Sequence, residues 1–194
     1  MRLTAEDKDK ITRRILESAA KAFRADGYDA VNLDRIMAGA GLTRGAFYAH
    51  FKSKDDLFCA VLRFQHPLLR MLKARPGGNG PALADEMRAV LAGYLEPMHL
   101  ETVFKGCSLA ALTGDATRAG PEARAAYQAG WQDILIEMAR GQSVPPSAFA
   151  PVLTLASGAV RSARAMCDAE ARAELLREVA QAVDQLLDRA LSAS

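Results

Sequence analysis

Apolar residues recur every three to four positions along almost the whole chain, and glycine or proline marks most places where this pattern stops. Such spacing puts apolar side chains on one side of an α-helix and charged side chains on the other. We therefore predict an all-α fold. The predicted helices cover about residues 8–26, 32–40, 43–51, 54–73, 82–95, 107–120, 123–140, 148–166 and 170–191, and Pro67 should kink or break the fourth near Phe64 and Gln65.

The stretch from Gly41 to Lys54 is a short helix set between two other helices. Gly41 can adopt the left-handed conformation that ends a helix, and the Thr43 hydroxyl can cap the next one. Helical spacing turns Phe47 and Phe51 toward a core. Two helices therefore meet at a tight turn, which fits either a DNA-reading element or an ordinary solvated corner.

Basic residues are concentrated in the same part of the chain. The formal net charge is only +2, but residues 1–54 contain 11 Lys and Arg against 7 Asp and Glu, and the remainder contains 14 against 16. Lys54 stands at the start of a helix, where the dipole prefers an anion, so a nearby phosphate would explain its position. The amino-terminal part is the one that suits a polyanion.

The amino-terminal quarter resembles the tetracycline-repressor (TetR) family of bacterial transcription regulators. The resemblance rests on Gly27-Tyr28, Asn32, Gly41-Leu42-Thr43, Gly45, Tyr48, His50-Phe51 and Lys54. Asn32 replaces the commoner Thr or Ser of the family, but Asn caps a helix equally well.

The resemblance implies two domains and a switchable dimer. Residues 1–53 would form a three-helix helix-turn-helix domain, and residues 54–194 a larger helical ligand-binding and dimerisation domain, with 54–73 as the connecting helix. Helices Ala148–Met166 and Glu170–Leu191 would pair with their copies in a homodimer, although their apolar stripes also suit the core of a monomer. A small-molecule effector would then release this repressor from a palindromic operator.

Individual roles follow for the DNA site. We expect Arg44 to read a guanine edge, and Gly45 to let the backbone approach the duplex. Tyr48, His50 and Lys54 should bind phosphates. Thr43 is a candidate for a helix cap, a DNA contact or both, whereas Lys52 and Arg35 should add non-specific attraction.

The effector site is the less specific part of the prediction. Apolar and aromatic residues of the larger domain are candidates to line a pocket, although most such residues are ordinary core. The candidates are Phe64, Met87, Tyr94, Met98, Phe104, Cys107, Tyr127 and Trp131. Cys107 follows Lys105 at a predicted helix start, where a cation and the dipole lower a thiol pKa, so an electrophile- or oxidant-sensing repressor is the alternative to reversible ligand binding.

Other classes of protein lack support in the sequence. We find no nucleophile with its base, no paired carboxylates, no phosphate loop, no metal-ligand spacing and no cofactor motif, so we expect no enzyme. A non-specific DNA-binding module, a remote alternative, would be more basic throughout. Without an apolar run long enough for a leader or membrane span, the protein is expected in the cytoplasm, at the nucleoid when DNA-bound. Operator, regulated genes, effector and the sign of regulation are not encoded in any motif we recognise.

Overall fold

The structure, a computed structural model, describes residues 4–64, 66–77, 80–96 and 107–192. These ranges are helical and contain no β-strand, as the apolar spacing predicts. The helices are α1 (Ala5–Asp26), α2 (Leu33–Gly39), a 3-10 helix (Arg44–Ala49), α3 (Lys54–Phe64), α4 (Pro67–Lys73), α5 (Gly80–Tyr94), α6 (Ser108–Ala111), α7 (Thr113–Arg118), α8 (Pro121–Met138), a second 3-10 helix (Pro146–Phe149), α9 (Ala150–Ala165) and α10 (Ala169–Leu191).

The chain divides into two compact units. The first comprises Met1–Gln65 and Val103–Ala129, and the second His66–Thr102 and Gly130–Ser194. Helix α8 contributes its first half to one unit and its second half to the other. The compact first unit thus contains α3 as well as the helix-turn-helix, and the functional boundary between residues 53 and 54 stays a prediction.

The core of the first unit is built from α1, α2, the first 3-10 helix and α3. Its largest buried side chains include Ile15, Phe23, Ile36, Phe47, Leu57 and Phe58. The rings of Phe23 and Phe58 meet edge to face with 5.2 Å between centroids, a favourable aromatic geometry. Burial of Phe47 and Phe51 confirms that the apolar side of the short helix packs inward.

Helices α9 and α10 pack along each other in the second unit. The stripe predicted on α9 is buried there at Val152, Ala156, Ala159 and Ala163. From α10, Leu176, Val183 and Leu187 are buried. The inner stripes therefore complete the core of this unit, and other residues of the same helices stay partly exposed.

A buried arginine joins α4, α5 and α8 in the second unit. Arg75 is only 5% exposed, and its guanidinium donates to the carbonyl oxygens of Leu72 (2.8 Å), Leu83 (2.9 Å) and Glu137 (2.6 Å). Burial lowers its pKa from the usual arginine value. Because Leu72 and Glu137 lie in the last turns of α4 and α8, this one side chain stabilises the ends of two helices that are far apart in sequence.

Most predicted helix limits agree with the structure, and some differ. The break at Pro67 is confirmed, since α3 ends at Phe64 and α4 begins at Pro67. A continuous 107–120 helix is wrong, because Leu112 (φ −106°, ψ 12°) separates α6 from α7. Helix α1 begins before Lys8, at Ala5, since Thr4 and Asp7 form a capping box.

Candidate DNA-binding surface

The turn after α2 has the geometry predicted for it. Gly41 has φ +65°, the left-handed conformation that glycine adopts without a Cβ clash. The Gly41 N–H donates to Ala38 O at 2.9 Å, and the Leu42 N–H donates to Met37 O at 2.9 Å. These bonds satisfy carbonyls at the end of α2 and reverse the chain toward the next helix.

Helix α2 is fixed to α1 by two side chains. The Ser18 hydroxyl donates to Ile36 O at 2.7 Å, and the Arg14 guanidinium donates to Ala40 O at 2.5 Å. A Cβ added at Gly39 would lie 2.5 Å from Ser18 Oγ, so a larger residue there would displace the Ser18 hydroxyl. Ser18 and Arg14 therefore set the position of α2 and of the turn that follows it.

The 3-10 helix Arg44–Ala49, which we call the recognition segment, follows the turn. Thr43 stands at its N-cap with extended backbone, but among the described residues its hydroxyl makes no capping hydrogen bond. The predicted Thr43 cap is therefore wrong, and the short segment is closed instead by the backbone bond from Ala46 N–H to Thr43 O at 3.1 Å. Fully buried Phe47 anchors the segment in the core.

Two arginines near the turn form exposed ion pairs. Arg44 Nη1 lies 3.0 Å from the Asp34 carboxylate, and Arg35 Nη2 lies 2.6 Å from that of Asp26. Exposed pairs of this kind contribute about 0–1 kcal/mol, so another anion can replace the carboxylate at small cost. A Cβ at Gly45 would meet no atom of the described residues within 4 Å. The backbone at Gly45 is thus open to an approaching molecule.

Tyr48 and His50 have different surroundings. The Tyr48 side chain is 62% exposed, with its ring edge-on to Phe47 at 5.2 Å between centroids. His50 is partly buried, and its Nδ1 lies 2.8 Å from Thr12 Oγ1 on α1. Burial, with the positive charge of Lys8, lowers the pKa of His50 from its usual value. Both effects disfavour the protonated ring in the unbound protein.

The two lysines that follow also differ. Lys52 has an exposed side chain, and its backbone N–H donates to the Asp56 carboxylate at 2.9 Å. Ser53 Oγ accepts from Asp56 N–H at 3.0 Å and so caps the start of α3. Lys54, in contrast, turns its ammonium onto the loop between α1 and α2. Its predicted phosphate contact stays a prediction.

Asp115 of α7 is a site residue that sequence reasoning missed. Its carboxylate accepts the backbone N–H of Tyr28 at 3.3 Å and pairs with Arg118 at 3.0 Å. On the other side of the same loop, the Tyr28 hydroxyl donates to Asp55. Burial and Asp55 together raise the pKa of Tyr28. The loop that leads into α2 is thus held by both α3 and α7, a contact between residues 87 positions apart that no local pattern signals.

The described residues predicted to line an effector pocket are divided between the two units. In the first unit, Phe64 is 59% exposed, Cys107 is fully buried and Tyr127 is partly buried. In the second unit, Met87 and Tyr94 are fully buried and Trp131 is partly buried. Met98 and Phe104 lie outside the described residues. The pocket therefore stays a prediction.

Other kinds of site find no support in the described ranges. No group of three or more His, Cys, Asp or Glu side chains is placed there to hold a metal ion. None of the described helices combines the length and apolarity needed to cross a bilayer.

Together, α2, the Gly41 turn and the recognition segment form a helix-turn-helix, the element with which many regulators enter the major groove. Residues 15–61 match the bacterial regulatory proteins of the tetR family. This match confirms, for the amino-terminal helix-turn-helix, the resemblance to that family that the sequence motifs predict.

Similar proteins extend the comparison. The transcriptional regulator SrpR of Pseudomonas putida is 43% identical over 68 residues, which cover 34% of this chain and 32% of SrpR. The sequence match thus spans about a third to a half of the length of such relatives.

Solved structures match over nearly the whole chain. NemR of E. coli, in its reduced form, has a TM-score of 0.70 at 18% identity and covers 91% of this chain and 96% of NemR. SmeT in complex with triclosan has a TM-score of 0.63 at 25% identity, with 93% and 91% covered. The all-helical fold of the TetR regulators therefore extends beyond the amino-terminal segment.

Proposed function

We propose that the protein is a ligand-responsive transcriptional regulator that binds DNA as a homodimer and acts as a repressor released from a palindromic operator by a small-molecule effector. The observation that carries this proposal is the recognition segment. Phe47 buries its inner side, whereas Arg44, Gly45 and Tyr48 remain exposed directly after a glycine turn. A rigid short helix with an open backbone and exposed donors is suited to a DNA groove.

The roles of the side chains are part of the proposal. Arg44 exchanges its Asp34 partner for a guanine edge, because a guanidinium binds guanine with two hydrogen bonds. Tyr48, His50 and Lys54 bind phosphates, and Thr43, whose hydroxyl caps no described N–H, is available to DNA. Lys52 and Arg35 add sequence-independent attraction.

Dimerisation is supported by residues on the partly exposed sides of α9 and α10. We call them the α9–α10 surface strip: Leu155, Gly158, Ser162, Leu175, Val179, Ala182 and Leu186. They are apolar or small and follow helical spacing. A Cβ at Gly158 would meet none of the described atoms within 4 Å, so a second helix has room to approach. A two-fold pair places two recognition segments for successive major grooves, roughly 34–36 Å apart.

An effector would act through its preference for one conformation of the dimer. A ligand that binds better to a dimer with a different spacing weakens DNA binding by that difference in affinity. The likeness to SmeT, solved with triclosan, favours a small apolar effector. Its pocket would use the candidate residues named above, including Met87, Tyr94 and Trp131.

Cys107 carries the alternative, a repressor that senses electrophiles or oxidants. Its side chain is fully buried, and thiols react fastest when exposed, so reversible binding of a ligand is favoured over covalent sensing. Comparing DNA release by wild type and Cys107→Ser after mild quinone or peroxide treatment separates the two. Release of the wild type alone would establish Cys107 as the sensor.

The proposal is tested by fluorescence anisotropy of the purified protein. The labelled probes are the DNA upstream of its own gene and a scrambled duplex of equal length and composition. We expect tighter, salt-dependent binding to the first probe. Equal affinity for both probes at every salt concentration would instead indicate the remote alternative, a non-specific DNA-binding module. Because the DNA that it would bind is chromosomal, we propose that the protein acts in the cytoplasm.

A further inference from the structure

His50 is attached to α1 by a hydrogen bond whose direction can be assigned. Thr12 Oγ1 lies 2.8 Å from His50 Nδ1 and 2.9 Å from Lys8 O, the carbonyl one turn earlier in the same helix. A hydroxyl has one proton to donate and two lone pairs that accept. The Lys8 carbonyl only accepts, so both contacts of Thr12 Oγ1 are hydrogen bonds only when its proton points to Lys8 O. In that arrangement Thr12 Oγ1 is the acceptor for His50, and Nδ1 carries a hydrogen.

This assignment decides what the other ring nitrogen can do. A neutral imidazole carries one proton, so a proton on Nδ1 leaves Nε2 with a lone pair. The structure gives Nε2 no hydrogen-bond partner among the described residues. The lone pair on Nε2 and a phosphate oxygen are both hydrogen-bond acceptors, so they cannot form a hydrogen bond with each other. While Thr12 holds the proton on Nδ1, His50 donates from Nε2 only after it gains a second proton and becomes a cation.

We propose that Thr12 is a positioning residue that holds the proton of neutral His50 on Nδ1, so that His50 binds a DNA phosphate only as a cation and each protomer takes up a proton on binding DNA. This inference rests on the proposed function, because it assumes that His50 contacts the phosphate backbone. Neither the identity of the operator nor that of the effector enters it.

The charged groups around His50 fix the sign of the pH dependence. Burial of the ring and the positive charge of Lys8 on α1 both oppose protonation of unbound His50. A phosphate beside Nε2 favours it. Affinity for DNA should therefore rise as the pH falls through the pKa of the bound state, and level off below the lower pKa of the unbound state.

The first experiment uses the full-length protein without DNA. Two-bond proton–nitrogen correlation spectra of histidine-labelled protein report which ring nitrogen carries the proton, and His50→Gln assigns the His50 signals among the three histidines. We expect the Nδ1–H form of His50 in wild type and Thr12→Ser. We expect Thr12→Val, which keeps the shape but lacks the hydroxyl, to shift the proton to Nε2. An Nε2–H ring in wild type would overturn the proposal whether or not the protein binds DNA.

The second experiment measures protons directly. Calorimetric titration of a duplex selected by the protein from a random pool, repeated in buffers of different ionisation enthalpy, gives the protons taken up. We expect wild type and Thr12→Ser to gain at least about tenfold in affinity between pH 8 and pH 6, since each titrating group contributes up to tenfold per pH unit. Thr12→Val should gain less than about threefold, because its neutral ring already donates from Nε2.

The outcomes separate this inference from the proposed function. A wild-type pH dependence in Thr12→Val would overturn the role of Thr12. Wild-type affinity and proton uptake in His50→Gln would overturn the phosphate contact, although DNA binding itself would stand. If no sequence is selected from the pool, the proposed function fails, and the tautomer result in the unbound protein is unaffected.

Discussion

Lys54 binds Tyr28 in two ways at once. Its ammonium donates to the Tyr28 carbonyl oxygen at 2.9 Å and lies 4.2 Å from the centroid of the Tyr28 ring, and it also donates to Val31 O at 3.0 Å. The loop that enters α2 is thus closed by a cation from α3. The ammonium that we predict to bind a DNA phosphate therefore also has partners within the protein.

Replacing Lys54 by alanine should therefore affect both folding and DNA binding. We expect the free energy of unfolding to fall by about 1–3 kcal/mol, since hydrogen bonds from a charged group are lost. We also expect weaker binding to all DNA and a salt slope smaller by about one unit for each lost phosphate contact. Denaturant unfolding and anisotropy at several salt concentrations measure the two effects.

Lys52→Ala is the matched control, because the Lys52 side chain is exposed. It should alter the salt slope and leave stability within about 0.5 kcal/mol of wild type. Unchanged stability in Lys54→Ala would contradict its role in the loop. An unchanged salt slope would contradict its phosphate contact.

Arg44→Ala should relax the sequence preference of the protein. Removing a two-bond contact with guanine lowers discrimination at that base pair by about 1–3 kcal/mol. Asp34→Ala frees the same guanidinium from its exposed partner, so operator affinity should stay equal or rise slightly. Affinities for single-base operator variants measure both changes. Arg35→Ala serves as the control, and its loss of affinity should be the same for every sequence.

Gly45→Ala should separate stability from DNA binding. The new methyl group meets no described atom within 4 Å, and alanine is a better helix former by up to about 1 kcal/mol, so the melting temperature should be unchanged or higher. Operator affinity should fall by about tenfold if the backbone at Gly45 lies against the duplex. Gly93→Ala in α5 is a control with the same open surroundings. Wild-type affinity in Gly45→Ala would remove this residue from the contact surface.

Asp115→Ala should loosen the loop before α2. The Tyr28 amide would lose its acceptor on α7, and its hydrogen exchange should accelerate by about fivefold if the bond contributes on the order of 1 kcal/mol. Exchange followed by mass spectrometry on peptides that cover residues 27–33 measures this. Arg118→Ala removes the other partner of Asp115 and should change exchange less. Equal exchange in wild type and Asp115→Ala would show that α7 does not restrain the loop.

Gly158→Arg should disrupt the dimer without unfolding the protomer. Gly158 is exposed in α9 with no described atom near its missing Cβ, so only a second chain would be displaced by the new side chain. Sedimentation should report a monomer, and helical circular dichroism should be retained. Gly93→Arg places the same side chain at an open position of α5 and should leave the dimer intact. A dimeric Gly158→Arg protein would exclude the α9–α10 surface strip as the interface.

Several features of the first unit, and the start of α4 in the second, could be predicted from the local chemistry of the sequence. The positive φ of Gly41, the buried Phe47 and Phe51 and the helix break before Pro67 each follow from one residue type and its immediate spacing. The Thr43 cap failed because a 3-10 segment closed by the Ala46–Thr43 backbone bond replaces the expected α-helical first turn.

Polar contacts between residues far apart in the sequence could not be predicted from local sequence patterns. Arg75 stands in a stretch rich in glycine and proline that reads as an exposed loop, yet its guanidinium is buried among the carbonyls of three elements. Asp115 contacts Tyr28, and Thr12 contacts His50. Each of these pairs depends on how helices pack, and hydrophobic periodicity specifies a helix face but not the polar partner opposite it.

The central claim is that two copies of the recognition segment read a two-fold symmetric DNA sequence. Selection of bound duplexes from a random pool by wild type and Arg44→Ala, followed by sequencing, tests it most directly. We expect wild type to enrich a palindrome whose half-site centres are about one helical turn, or a multiple of it, apart, and Arg44→Ala to lose a preferred base pair in each half-site. A wild-type pool without enriched symmetry, or identical motifs from both proteins, would contradict the claim.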